Sequence, residues 1–354
     1  WWVVRRGRRG RLTWLTRPRP NRWAPAVAAG GVILAGLVLA SRPLWLVVRQ
    51  DPNDSGSRFV GRLQPGQGLE FDPGRTYAEQ SVGWVAWWVG PVAVIAALAV
   101  YAVLAARFVR WWQSSGQPGT ESHKETGANP VPAWFVPAFV GLGSTVLSLY
   151  RPGITPDHPW ADRRLVTLVL PTVVLGAVAA LFVAMRWVRD RWPDRARLLV
   201  PLVTVTGLAA LLGPALAGTL PVAGDRTERG QPEAQQQVCA ALQPDDVVIA
   251  VGPRARNEWP QIVRAVCGNP AAALNVPPEH EDFAAAAARV AKRAEAAGHR
   301  PVFLSADDPQ ILQRLGLTAT QVVDLETTED QRLLTRRPHG MQRLDIEVWL
   351  APWS

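Results

Sequence analysis

The residues best suited to chemistry lie close together. Positions 150–164 read Tyr150-Arg151-Pro152-Gly153-Ile154-Thr155-Pro156-Asp157-His158-Pro159-Trp160-Ala161-Asp162-Arg163-Arg164. Three prolines and a glycine force a tight excursion between two apolar stretches. Arginine presents a planar fork that matches phosphate oxygens. Arg163 and Arg164 open the following apolar stretch, so they are placed to hold a lipid phosphate at headgroup height. The alternative is local: the arginines pair with Asp157 and Asp162, and Asp162 caps the helix. Asp157, His158 and Asp162 also offer donors for a divalent metal or an acid/base pair. Glu70, Asp72 and Glu79, in the polar stretch 49–81, could meet them on one membrane face. Spacing alone does not make three ligands converge, and solvated loop carboxylates are the alternative.

Elsewhere chemical signals are weak. The turn Gly252-Pro253-Arg254-Ala255-Arg256 lacks the glycine spacing of a dinucleotide site, although its arginines follow a strand, at the usual binding edge of an α/β sheet. Glu279-His280-Glu281-Asp282 resembles a metal cluster only in composition, and the acids are better explained as a helix's first turn. No phosphate loop, nucleophile elbow or zinc spacing is present.

The elements that must carry these residues are apolar. Stretches 24–48, 82–106, 131–150, 165–185 and 198–220 are each about 20 to 25 residues and nearly uncharged, with Arg42 the exception. Each can cross a hydrocarbon core of roughly 30 Å. A net charge of +9 and a pI near 10.7 invite a nucleic-acid reading. Placement points instead to topology. Segments 1–23, 107–130 and 186–197 hold 16 Lys and Arg, including Lys124, whereas 49–81 and 151–164 hold 7. That bias orients the N-terminus to the cytoplasm and the chain beyond 221 to the exterior, with no nucleic acid as partner. Many tryptophans, among them Trp84, Trp87, Trp88 and Trp134, fall near span ends, where an amphipathic ring straddles the interface. Residues 49–81 are expected to form a compact loop without a long helix, turning at Asp51-Pro52 and Asp72-Pro73-Gly74. Residues 107–130 read as a flexible linker. The opening, Trp1-Trp2-Val3-Val4 followed by arginines, has no signal-peptide cleavage site and reads as the last turn of an earlier span. The chain is therefore expected to be a C-terminal fragment.

The string RPGITPDHPWADRRLVTLVLP (151–171), with RTYAEQSVGWVAWWVG (75–90) upstream, resembles large actinobacterial membrane proteins of the polyprenyl-phosphate-dependent glycosyltransferase type, related to the dolichyl-phosphate-mannose protein mannosyltransferase superfamily. The resemblance implies a multi-span fold, a polyprenyl-phosphate sugar donor and transfer on the extracytoplasmic face. In that superfamily the catalytic carboxylate lies in the first outward loop, which a C-terminal fragment would lack, so the catalytic residues here are unknown.

Past 220 the pattern changes. Lys and Arg number 14 against 18 Asp and Glu, the reverse of the 24 against 11 that precede. A polar linker, 221–237, leads to alternating strand and helix signals. Strands are expected at 246–251, 273–276, 301–305, 322–325 and 345–350, and helices at 257–267, 281–297 and 309–315. The clearest helix carries Phe283, Ala287, Val290, Ala294 and Ala297 along one stripe. These units predict an α/β sandwich with a mostly parallel sheet. Cys239 and Cys267 both fall here; an oxidising exterior permits a disulfide closing about 28 residues, the alternative being two buried thiols.

The expected protein is a multi-span α-helical membrane protein of about five transmembrane helices followed by an extracytoplasmic α/β sandwich domain. Its divisions are a basic cytoplasmic segment 1–23, a transmembrane domain 24–220 with outward loops 49–81 and 151–164, a linker 221–237 and the α/β domain 238–354. The expected function is transfer of a sugar from a polyprenyl-phosphate donor to an extracytoplasmic glycan or protein, with a divalent metal possible. The alternative is a non-catalytic membrane anchor or sensor whose extracytoplasmic domain binds a ligand.

Overall fold

The structure, a computed structural model, describes residues 21–114, 131–306 and 308–353. Most of the basic segment 1–23 and of the linker 107–130, including Lys124, therefore lies outside the described residues. The chain divides into two compact units, one comprising Trp1–Ala223 with Arg332–His339, the other Gly224–Gln331 with Gly340–Ser354.

The first unit is helical. Its helices are α1 (Ala24–Ser41), α2 (Ser55–Gly66), α3 (Ser81–Val89), α4 (Pro91–Ser114), α5 (Phe135–Tyr150), α6 (Arg163–Val166), α7 (Val169–Arg191) and α8 (Ala196–Thr219). Among the described residues, four segments are long and apolar enough to cross a membrane: Ala24–Leu44, Pro91–Ser114, Val169–Arg191 and Pro193–Thr219. Two of the five expected spans differ from expectation. The stretch 82–106 is split where Gly90 adopts φ 81° and Pro91 starts a new helix, because proline lacks the N–H that a continuous helix needs but suits a first turn. The third, α5, has 16 residues and rises about 24 Å, short of the hydrocarbon core.

Small residues let these helices approach. A Cβ on Gly176 would stand 2.9 Å from that of Ala97, and one on Gly141 would stand 3.1 Å from the Thr172 hydroxyl. Leu198, Val205 and Leu212 on α8 are exposed, as is expected of a face that lipid covers. The buried centre joins Trp84, Val85, Ala97, Leu149, Leu165 and Val173.

Residues 49–81 correct the loop expectation, since they contain the 12-residue α2. Its buried face is Ser57, Val60, Gly61 and Gln64, a helical spacing made of small and polar residues that a hydrophobic pattern does not reveal. Asp54 starts it by accepting from the Gly56 N–H at 3.0 Å.

The second unit is a five-stranded sheet, ordered β2-β1-β3-β5-β4. The strands are β1 (Asp246–Val251), β2 (Ala271–Ala273), β3 (Arg300–Ala306), β4 (Thr320–Asp330) and β5 (Met341–Pro352). The sheet is mixed rather than mostly parallel. β1 pairs in parallel with β2 and β3, but β5 returns antiparallel to both β3 and β4. β4 and β5 are longer than expected because their outer ends are polar and half-exposed, so burial leaves little alternation to read.

Helices α9 (Gln231–Ala241), α10 (Pro253–Ile262), α11 (Phe283–Ala296) and α12 (Gln310–Gln313) cover the sheet. Val248 and Ala250 pack with Val238 and Trp259 on one face, while Ile249 and Val251 pack with Phe283, Ala287 and Leu312 on the other. Successive strand residues thus serve opposite layers, giving an α/β sandwich. α9 begins inside the expected linker, α10 begins at Pro253 rather than 257, and β2 lies a few residues before 273–276. Cys239 of α9 and Cys267 form a disulfide, with Cα atoms 4.9 Å apart.

Candidate functional site

The connection between α5 and α7 shapes the site. α5 ends at Tyr150, Gly153 takes φ 56°, a 3-10 turn spans Trp160–Asp162, and α6 follows at once. This winding carries Arg151, Arg163 and Arg164 to one cavity of about 430 Å³, whose wall includes Trp84, Leu147 and Ser148. Arg164 donates to the Pro152 carbonyl at 3.3 Å, and the Arg163 guanidinium lies 5.8 Å from the Trp160 ring. Among the described residues none of these three guanidinium groups has a carboxylate within ion-pair distance. Asp162 stands at the N-cap of α6, although its side chain accepts no helix N–H, and Asp157 interacts electrostatically with Arg163. Three guanidinium groups thus line one cavity.

Asp162 is turned elsewhere. Its Oδ2 lies 3.0 Å from Nδ1 of His158, four residues earlier. Both are buried, His158 completely. The two side chains thus form a close, buried pair. The imidazole sits edge-on to Trp84 and Trp87, with ring centroids 4.7 and 5.0 Å away. Trp84 contacts this imidazole and also lines the arginine cavity. Asp157 is half-buried; burial raises its carboxyl above the ordinary range, opposed by a backbone hydrogen bond and by Arg332, His158 and Arg163. Among the described residues no group of three or more His, Cys, Asp or Glu is placed to hold a metal ion.

Two of the candidate carboxylates of 49–81 hold local structure. Glu79, almost fully buried, accepts from Arg75 at 2.6 Å and from the Val48 N–H at 3.2 Å. Asp72 pairs with Arg49 through both oxygens, and Glu70 does not line the arginine cavity. Arg42 is also buried, donating to the Leu149 carbonyl at 2.9 Å. It anchors the end of α5 beside the cavity.

Sequence reading missed the connection between β4 and β5. Its residues Arg332–His339 belong to the helical unit. Leu333 exchanges backbone hydrogen bonds with His158, and Gln67 bonds the backbone of Arg332 and Leu334. The Leu334 side chain is wholly buried in the helical core. No local pattern signals such contacts, because the partners are far apart along the chain.

A second cavity of about 430 Å³ is almost wholly apolar. It opens between α1, α4, α5 and α7 along Val32, Gly36, Leu98, Leu142, Val146 and Val173. α5 separates the two cavities, giving Leu147 and Ser148 to the cationic one and Val146 and Leu149 to the apolar one.

In the α/β unit, Arg254 donates to the Asp345 carbonyl and approaches Glu258, which ties it to structure. His280 Nδ1 accepts from the Asp282 N–H in an exposed turn before α11. No family model, curated protein or solved structure matches the chain.

Proposed function

We propose that the chain belongs to an integral membrane glycosyltransferase, drawing a sugar from a polyprenyl-phosphate donor and passing it to an extracytoplasmic glycan or protein. The observation that carries this reading is the arginine-lined cavity near an apolar groove. An amphiphile with an anionic head and a long apolar tail matches both: guanidinium forks hold phosphate, and the groove shelters the tail. The positive-inside bias supports an exterior position for this end of the bundle and for the α/β domain. Arg163 and Arg164 would hold the phosphate and stabilise the charge it gains as the sugar leaves. Arg151 would complete the clamp.

The test is sugar transfer from polyprenyl-phosphate donors by full-length protein in lipid, with and without Arg163→Ala and Arg164→Ala. Each substitution is expected to lower transfer by about tenfold or more, the loss of one charge-assisted hydrogen bond. Undiminished transfer in both would reject the clamp. The second reading, a non-catalytic anchor or sensor, is favoured by one observation: no carboxylate lines the cavity. Phosphate-lipid binding without transfer by full-length protein is the outcome it expects.

A further inference from the structure

The turn that joins α7 to α8 concentrates positive charge on exposed side chains. Between positions 186 and 197 stand five arginines, Arg186, Arg189, Arg191, Arg195 and Arg197, and two acids, Asp190 and Asp194. All five arginines are exposed. Asp190 offsets little, since it lies 3.8 Å from Arg189 and the two side chains are 72% and 62% exposed. α4 brings more charge to the same end. It begins beside α7, with Val94, Val173 and Leu149 of the last turn of α5 around the apolar cavity, and Gly176 packs on Ala97. The two helices therefore finish together, which adds the exposed Arg107 and Arg110.

Helix electrostatics accounts for only part of this charge. Arg189 and Arg191 stand in the last turn of α7, where a cation meets the negative end of the helix. Arg195 and Arg197 stand at the opposite pole. Arg195 is the N-cap of α8 and Arg197 lies in its first turn, where the dipole opposes a cation. Asp194 is one acid beside two arginines. An anion from outside the chain would relieve the conflict.

Depth identifies that anion. Phe182 and Val183, about one turn before Arg186, and Leu198, next to Arg197, are exposed apolar side chains. A helical turn rises about 5 Å, so the guanidinium groups lie within a side-chain length of surface that lipid covers, at the level of its phosphates. Trp187 and Trp192 are also exposed; their rings meet edge-on at 5.1 Å, and the Arg191 guanidinium lies 5.9 Å from the Trp192 ring. Amphipathic indoles favour the same interfacial layer. Neither a nucleic acid nor an acidic protein accounts for apolar side chains on both sides of the charge.

We propose that the α7–α8 turn binds anionic phospholipid headgroups, with Arg186 and Arg189 on one helix and Arg195 and Arg197 on the next sharing the phosphates. Trp187 and Trp192 pack at the depth of the glycerol backbone. The inference requires only that α7 and α8 cross a bilayer. It depends neither on a sugar donor nor on the arginine cavity beside the start of α7.

The test compares phosphatidylglycerol with phosphatidylcholine, each carrying the same photoactivatable group near its headgroup, in nanodiscs of phosphatidylcholine holding the protein. Peptide mass mapping locates the adducts. In the unsubstituted protein, phosphatidylglycerol is expected to label residues 186–197 about tenfold more than phosphatidylcholine does. The paired substitutions Arg186→Gln with Arg189→Gln, and Arg195→Gln with Arg197→Gln, should each cut that preference to about threefold or less. Arg195→Lys with Arg197→Lys should keep most of it, because an ammonium retains the charge that attracts the headgroup. Equal labelling by the two lipids in the unsubstituted protein overturns the proposal, whatever the variants do. So does a preference undiminished in both glutamine pairs. Labelling that an equimolar RNA displaces overturns it as well and assigns the patch to nucleic acid.

Discussion

His158 and Leu333 exchange both backbone hydrogen bonds, at 3.0 and 3.2 Å, although one lies between α5 and α7 and the other between β4 and β5. The pairing closes a contact between distant parts of the chain within the helical unit. It also fixes the backbone of the loop that presents Arg163 and Arg164. The behaviour of the cationic cavity therefore depends on residues that no local stretch contains.

Anion affinity should track the three guanidinium groups. Arg163→Ala and Arg164→Ala are each expected to weaken binding of a polyprenyl phosphate in nanodiscs by about tenfold to a hundredfold, and Arg151→Ala in the same direction. Lysine at 163 or 164 should restore only part, because an ammonium keeps the charge and loses the fork. Titration of the labelled lipid at two salt concentrations measures this. Equal affinity in all three alanine variants would falsify the cavity's role.

Asp157 should make stability depend on pH in an unusual direction. Burial raises its folded-state pKa above the unfolded value, so the folded state favours the protonated acid. Stability contributed by this group is present below the unfolded pKa, about 3.9, and is lost as pH rises through the folded value. Asp157→Asn should therefore be more stable than the parent at pH 7, and the difference should vanish near pH 3. Thermal unfolding in detergent across that range provides the check; a gap that widens on acidification would reverse the assignment.

The Asp246–Arg300 pair should dominate one end of the sheet. Asp246 is wholly buried and takes two hydrogen bonds from Arg300, at 2.6 and 2.8 Å, and a third from the Gln243 N–H. Arg300→Ala leaves that carboxylate unpaired, which costs about 3 kcal/mol. Denaturant unfolding followed by Trp259 and Trp349 fluorescence should show the loss in the α/β unit, with the helices unaffected.

Reduction of Cys239–Cys267 should lower stability of the same unit by about 3 kcal/mol, the value expected for a closed loop of 28 residues. Denaturation with and without reductant, alongside a Cys239→Ser, Cys267→Ser variant, reads it. Identical midpoints would show that the bond adds nothing.

Gly90→Ala should destabilise the helical unit by about 1 to 3 kcal/mol. Its φ of 81° disfavours any side chain, and a Cβ would stand 2.6 Å from Pro214. The detergent-solubilised melting temperature is the measurement.

The apolar helices, the α/β alternation and the cationic loop were legible because each depends on local composition and period. Uncharged runs long enough for a bilayer announce α1, α4, α7 and α8 whatever their neighbours are. The stripe headed by Phe283 and Ala287 announces α11 in the same way, though Ala286 and Ala291 complete its buried face. α2 was not legible, since its buried side is Ser57, Gly61 and Gln64 around one valine. Gln64 is buried because it bonds the Asp72 backbone and the Tyr77 hydroxyl, partners that only the folded loop supplies.

By itself, then, the sequence determined where apolar segments lie, that a second unit of alternating strands and helices follows them, and that Arg163 and Arg164 stand beside a helix start. Tertiary structure decided the rest. Whether Asp162 would neutralise those arginines or face His158 depended on how the turn Trp160–Asp162 winds, and it faces His158. Whether β5 would run with its neighbours or against them depended on pairing across the sheet, where polar strand ends carry no local signal. The burial of Leu334 among the helices likewise follows from long-range packing, whose free energy is shared among residues that are neighbours only in the folded chain.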